Sequence, residues 1–148
     1  MERVSPSPGT GGPVIEVAAG LVFRDNKLLI TRRLPSEHLG GLWEFPGGKR
    51  EPNESFEGCL VRELREELGI GVVVGMLMES LTHDYPRRRV LIRFYRCALT
   101  EGEPRAIGCQ DIRWVGPEEL ALYQFPEADQ RLMAKLRSDS EVWGVEQR

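Results

Sequence analysis

Apolar and β-branched residues fill Val14 to Phe23, stop at Asp25 and Asn26, and resume from Lys27 to Arg33 with a Leu-Leu-Ile centre. Two such runs around a short polar turn predict a β-hairpin. Pro35 to Gly41 reads as a loop, and Trp43, Glu44 and Phe45 lead from it into Pro46, Gly47 and Gly48, where the backbone is free to approach a ligand. The period then changes. Phe56, Leu60, Leu64 and Leu68 recur every four residues with Val61 beside them, which predicts a helix with this stripe buried, Ser55 as its N-cap and Gly69 as its stop. Val72 to Leu81 and Val90 to Thr100 read as strands and Asp111 to Val115 as a short one. Pro117 to Leu122 reads as a helical turn, and Phe125 to Arg137 as a closing helix. Mixed strands flanked by helices give an α/β sandwich, and no internal repeat is visible.

The 148 residues suit one domain, expected at 14–138, with 41% hydrophobic content to form its core. Residues 1–13 are rich in Ser, Pro and Gly and are expected as a tail, as is the polar stretch 139–148, although Trp143 gives that end a residue able to dock. A net charge of −3 argues against a general nucleic-acid binder. Of the twenty basic residues only Lys27, Lys49 and Lys135 are lysine. The remaining seventeen are arginine, a side chain suited to phosphate, although a codon bias toward arginine would produce the same excess. Cys59, Cys97 and Cys109 are odd in number and lie far apart, so reduced thiols are expected. No segment approaches the ~20 apolar residues of a membrane span, and the amino end lacks the order of a secretory signal. A cytoplasmic location follows as an expectation, with a small-molecule partner, no stable nucleic-acid binding, no membrane, and a monomer or homodimer.

The chemistry concentrates between Gly48 and Ile70. On a helix, Glu63, Glu66 and Glu67 are three and four residues apart and share one face. Like charges at that spacing cost roughly 0.2–0.5 kcal/mol per pair, so the cluster calls for a cation, and a hard divalent metal supplies one. The competing reading is a solvated surface helix with Arg62 paired to Glu66 at i, i+4.

The run Gly48, five residues, Glu54, seven residues, Arg62-Glu63-Leu64-x-Glu66-Glu67-x-Gly69-Ile70 resembles the Nudix box, nine positions fixed over twenty-three residues. ITRR and LWEFPGGK before it, and EGEP, RWV and FPEAD after it, look like the branch that holds the MutT and CTP pyrophosphohydrolase types. The resemblance implies a Nudix-type α/β/α sandwich with a mixed β-sheet, and hydrolysis of a nucleoside diphosphate linked to a further group. It implies Mg²⁺, or Mn²⁺, held by Glu63, Glu67 and the Gly47 carbonyl, with Glu66 as a further ligand or base. Arg62 would orient a glutamate, and Glu54 would support loop and helix from behind. One position departs from the pattern: many relatives carry a glutamate before a glutamine in a later loop, whereas this chain has Gly108 before Cys109 and Gln110, leaving Asp111 or the box acids as the general base.

For the substrate, the resemblance implies that Arg33 contacts phosphate and that His38 and Phe45 lie in the pocket. A loop histidine is also at home in solvent, and a phenylalanine in the core. Tyr85 is able to stack on a base or simply to form a turn with Pro86. In Arg87-Arg88-Arg89, only Arg88 is a candidate, the run otherwise reading as a solvated hairpin. Asp129 stands where guanine-selective relatives carry asparagine. An ionised carboxylate only accepts, which suits the cytosine amine, unless protonation lets it donate to an oxidised guanine. Otherwise Asp129 caps the last helix.

The expected activity is a Mg²⁺-dependent nucleoside triphosphate pyrophosphohydrolase that releases a monophosphate and pyrophosphate. It would clear oxidised or surplus nucleotides of the 8-oxo-dGTP/dGTP or the CTP/dCTP/5-methyl-dCTP type. Two alternatives stand beside it: a non-catalytic base-recognition module like the MutY carboxyl-terminal domain, and hydrolysis of another nucleoside diphosphate derivative.

Overall fold

A computed structural model describes residues 14–147, with side chains through 143. The expected amino-terminal tail, 1–13, lies outside the described residues. The elements run β1 (Val14–Arg24), β2 (Lys27–Arg32), β3 (Trp43–Glu44), β4 (Gly47–Lys49), α1 (Phe56–Leu68), β5 (Gly71–Tyr85), β6 (Arg88–Glu101), β7 (Asp111–Val115) and α2 (Gln130–Ser138). Short 3₁₀ turns occupy Leu120–Leu122, Glu127–Asp129 and Ser140–Gln147.

Asp25 and Asn26 both take positive φ, 54° and 63°, as the tight primed turn between twisted strands requires. The hairpin is real but brief. Only Phe23 to Leu28 and Arg24 to Lys27 pair across it, and the rest of β1 pairs parallel with β6 over Val14 to Val22 and antiparallel with β4 at Val17 to Ala19. The resulting mixed sheet has the order β3-β2-β1-β6-β5, with β4 added on β1 and β7 on β2. β3 and β4, to which the sequence assigned no element, are too short to show a period of two and exist through these partners.

Alternate residues of β1 feed two cores. Ala19, Leu21 and Phe23 face α2 with Leu132, Met133 and Leu136, whereas Ala18 and Val22 face α1 with Leu60, Leu64 and Leu68. Helices on both faces of a mixed sheet make the expected α/β/α sandwich. Within α1 the buried set is Cys59, Leu60, Leu64 and Leu68, and Val61 is 40% exposed. Cys59 takes the place expected of Val61 because that side of the helix lies on β4, where its thiol reaches the Gly48 carbonyl at 3.5 Å. Ser55 caps α1 as predicted, its hydroxyl accepting from Gly58 N–H at 2.9 Å, and Gly69 closes it at φ 71°.

Three boundaries differ. β5 and β6 extend to Tyr85 and from Arg88, so polar residues beyond the apolar runs continue the ladder. The closing helix begins at Gln130, not Phe125, because Pro126 is extended and a 3₁₀ turn precedes it. The carboxyl end expected as a tail from 139 is packed through Trp143, which is 2% exposed. Its ring meets Phe23 edge to face at 5.5 Å and its indole N–H donates to the Leu136 carbonyl at 2.9 Å. One large aromatic outweighs the polarity around it. Replacing it should show this: Trp143→Ala is expected to cost about 3–5 kcal/mol in urea unfolding, and an unshifted midpoint would mean that the segment adds nothing to the core.

Candidate active site

The approach of α1 to β4 sets the site. At Gly47 a Cβ would stand 2.0 Å from the Ala18 carbonyl oxygen, and at Gly48 a Cβ would stand 2.2 Å from the Glu63 carboxyl carbon. Both contacts lie below any real Cβ separation: strand pairing requires glycine at the first position, where the clash is with backbone, whereas at the second only the Glu63 carboxyl tip would have to turn away.

Arg62 gathers the surrounding acids. Its Nε and Nη2 grip Glu54 at 3.1 and 2.7 Å, its Nη1 donates to Glu63 at 3.1 Å and to Glu66 at 3.3 Å, and Nη2 reaches the Lys49 carbonyl at 3.2 Å. Glu54 is thereby held well below the carboxylate range, at about 2, first by Arg62 and then by the Glu51 N–H. Glu67 moves the other way. Burial first, then a hydrogen bond to Glu63 and the charges of Glu63, Glu44 and Glu37, push it up to about 9.

Two adjacent carboxyl groups on one helix face, Glu63 lying against the Gly48 backbone, form an oxygen donor set suited to a hard divalent cation. Glu63 and Glu67 would hold it, with Gly47 beside them on the same cavity. Among the described residues no three acidic, histidine or cysteine side chains are already gathered as a ligand set. Glu66 is 59% exposed on Arg62 and does not line the cavity, so it joins the set only by leaving that partner.

The cavity, of about 520 Å³, runs from these acids to the head of α2. Arg33 lines it but is engaged. Its Nη1 binds Glu44 at 2.8 Å and its Nε binds the His38 carbonyl at 2.7 Å, which ties the 35–41 loop to the sheet. His38 meets Tyr85 edge to face at 5.1 Å, and its pKa is lowered by burial and by Arg88 and Arg33, which keeps the ring neutral. Phe45 is both core and wall: 3% exposed and 5.0 Å from Phe125, it still borders the cavity. Tyr85 and Arg88 line the mouth, whereas Arg89 pairs with Asp84 at 2.7 Å.

Asp129 is 5% exposed, lines the cavity, and makes no capping hydrogen bond although it precedes α2. Its capping role is therefore not realised. Burial, with Glu44 adding and Arg33 opposing, pushes it up to about 7.

Asp111 does not substitute for the missing loop acid. Its Oδ1 accepts from Ile112 N–H at 2.8 Å and from Arg113 at 2.7 Å, and it lies off the cavity wall. Gly108 does line the cavity: with Ile107 it donates to the Glu67 carbonyl at 3.0 and 3.1 Å, closing the end of α1. A Cβ there would meet Glu67 Cγ at 3.3 Å. Glu44, with Glu37 and Lys49, is a charged cavity residue that sequence reasoning missed. Its signal was an acid between two aromatics, Trp43 and Phe45, and its pKa is raised by burial. A second hollow of about 570 Å³, bordered by Tyr123, Gln130 and Arg137, holds none of these acids.

The family profile described as NUDIX domain matches residues 18–135. A CTP pyrophosphohydrolase of Escherichia coli (strain K12) is 40% identical over 116 residues, spanning 78% of this chain and 86% of the relative. An 8-oxo-dGTP diphosphatase of the same organism is 36% identical over 124 residues, spanning 83% and 96%. The solution structure of the E. coli ORF135 protein superposes with a TM-score of 0.77 at 36% identity, covering 90% of this chain and 94% of that one.

The glycine contact yields a test. Gly48→Ala and Arg62→Ala are each expected to weaken Mg²⁺ binding by about 10–100-fold in calorimetric titration while the circular dichroism of the fold is kept. Unchanged affinity in both would place the cation elsewhere.

Proposed function

Since the chain belongs to the Nudix family and is a Nudix hydrolase, we propose that it is a cytoplasmic, Mg²⁺-dependent nucleoside triphosphate pyrophosphohydrolase that releases a nucleoside monophosphate and pyrophosphate. The observation that carries this reading is a single cavity bordered by Glu63 and Glu67 from α1, by Asp129 from the turn that leads into α2, and by Tyr85 from β5. That layout fits a molecule with phosphates on one side and a base on the other, and the base-recognition alternative has no use for the acid pair. No described helix is long and apolar enough to cross a membrane.

When bound, a divalent cation supplies neutralisation of phosphate charge and a more acidic water. The chain's own residues do the rest. Arg62 fixes the Glu63 carboxylate, and Glu54 fixes Arg62 through two hydrogen bonds. Arg33 and Arg88 present guanidinium groups to phosphate oxygens, Arg33 by exchanging Glu44 for the ligand. Tyr85 offers its face to the base. Ionised, Asp129 accepts from the exocyclic amine of cytosine. Protonated, it donates to the oxygen of an oxidised guanine. Both substrate types therefore have a protonation state that admits them.

Glu67→Gln is expected to cut pyrophosphate release by orders of magnitude in a folded protein, and retained turnover would remove Glu67 from the machinery. The base reading is tested with dCTP, 5-methyl-dCTP, CTP and 8-oxo-dGTP. Asp129 is raised to about 7, so it is protonated below that value and ionised above it. The kcat/KM ratio of dCTP to 8-oxo-dGTP should then climb with pH by up to about tenfold per unit between about pH 6 and 8. Titrations at the acid pair affect both substrates and cancel in the ratio. Asp129→Asn should flatten the profile; a ratio independent of pH in the native enzyme would show that Asp129 does not read the base.

A further inference from the structure

Besides Asp129, one other carboxylate is buried among the described residues: Glu79, on β5, with a side chain 5% exposed. It lies outside the cavity. A bulge brings it inward: Leu77 pairs with Tyr95 and Glu79 with Phe94, leaving Met78 without an opposite residue. Both of its cationic partners come from α2. Lys135 Nζ stands 2.7 Å from Oε1 and Arg131 Nε 3.1 Å from Oε2, and Lys135 also donates to the Met78 carbonyl at 3.4 Å.

Each end of this staple leads to the cavity. Along β5, Glu79, Leu81, His83 and Tyr85 share one face by strand alternation, and Leu81 packs on the core beneath α2. At the other end, Arg131 lies two residues from Asp129 at the head of α2. Tyr85 on the strand and Asp129, in the 3₁₀ turn that leads into α2, are thus linked through this carboxylate as well as through the core. Removing one partner of an ion pair is costly when it strands the other charge in the core, but here Lys135 and Arg131 are half or more exposed and can return to solvent, so an apolar residue at 79 need cost little stability and fixed geometry is a better ground for the carboxylate.

We propose that Glu79 is a positioning residue that sets the distance between Asp129 and Tyr85, and through it the discrimination between bases. This rests on the reading of Asp129 as the base contact. Without Glu79 the helix stays docked by Leu132, Met133 and Leu136, at 0–2% exposure, while the two cations, already 50% and 78% exposed, turn to solvent. What is lost is the register of α2 on β5.

The test uses Glu79→Gln and Glu79→Met in the full chain, with kcat, KM and thermal midpoint measured for dCTP and 8-oxo-dGTP. Both variants are expected to keep kcat within about twofold and to raise KM for the preferred nucleotide by on the order of ten- to a hundredfold, with the preference between the two compressed. Glu79→Met should do so with an unchanged or higher midpoint, which a purely structural role does not predict. In an Asp129→Asn background, Glu79→Gln should leave the base preference where Asp129→Asn put it. Native KM and preference in Glu79→Met would overturn the proposal, as would an equal fall of kcat for both nucleotides. If Asp129→Asn alone leaves the preference unchanged, the base-contact reading falls and this inference with it. If Asp129→Asn shifts it and both Glu79 variants do not, only the staple falls.

Discussion

The site depends on two missing side chains. Gly47 lies so close to β1, and Gly48 so close to the Glu63 carboxyl group, that a single methyl group at either position meets another atom at about half a normal contact distance. The first absence lets β4 join the sheet, and the second leaves room for the Glu63 carboxyl group to lie against β4. Once α1 is there, Cys59 and the leucine stripe have their places, and Glu63 and Glu67 reach the cavity from one helix face.

Crowding acids in this way creates a problem that the structure meets by two different means. At Arg62 the answer is charge: one guanidinium bonds Glu54, Glu63 and Glu66, and Glu54 stays ionised down to about 2. At Glu67 the answer is protonation, with the pKa pushed up to about 9 and a hydrogen bond to Glu63. The two acids lie thirteen residues apart in sequence and are shifted in opposite directions. Environment, not residue type, separates them. Glu54 bonds to a cation in contact with solvent, whereas Glu67 is half-buried beside other carboxyl groups.

Much of this was legible in the sequence because it is local. The N-cap at Ser55, the stop at Gly69, the turn at Asp25-Asn26 and the acid face of α1 each depend on residues within about one or two helical turns. The box resemblance carried further, placing Arg62 and Glu54 in the contacts they make. What escaped was set by distant partners. Glu44 is a cavity acid because β3 pairs with β2, a two-residue strand without any period to detect. Asp111 looked able to replace the missing loop acid, but its carboxylate is taken by its immediate neighbours. Trp143 sits in a polar run that promised a tail, and its burial depends on Phe23, more than a hundred residues away. Asp129 was ambiguous for a similar reason: a cap and a pocket acid have the same sequence, and only the empty capping position distinguishes them.

Glu44 also couples the two ends of the cavity. Its charge raises both Glu67 and Asp129, and its partner Arg33 opposes the rise at Asp129. Five acids border the cavity, Glu37, Glu44, Glu63, Glu67 and Asp129, against Arg33, Lys49 and Arg88. Fully ionised, such a lining repels a polyphosphate. The upward shifts at Glu67 and Asp129, caused by burial and by the neighbouring acids, lessen that repulsion. On the proposed reading, a phosphate group that drew Arg33 from Glu44 would remove the charge that offsets Glu44 and so make the acid lining a stronger site for a cation. A cation held by Glu63 and Glu67 would in turn lessen the repulsion that the phosphates meet. By linkage each event favours the other to the same degree, so cation and nucleotide are expected to bind to this cavity cooperatively instead of independently.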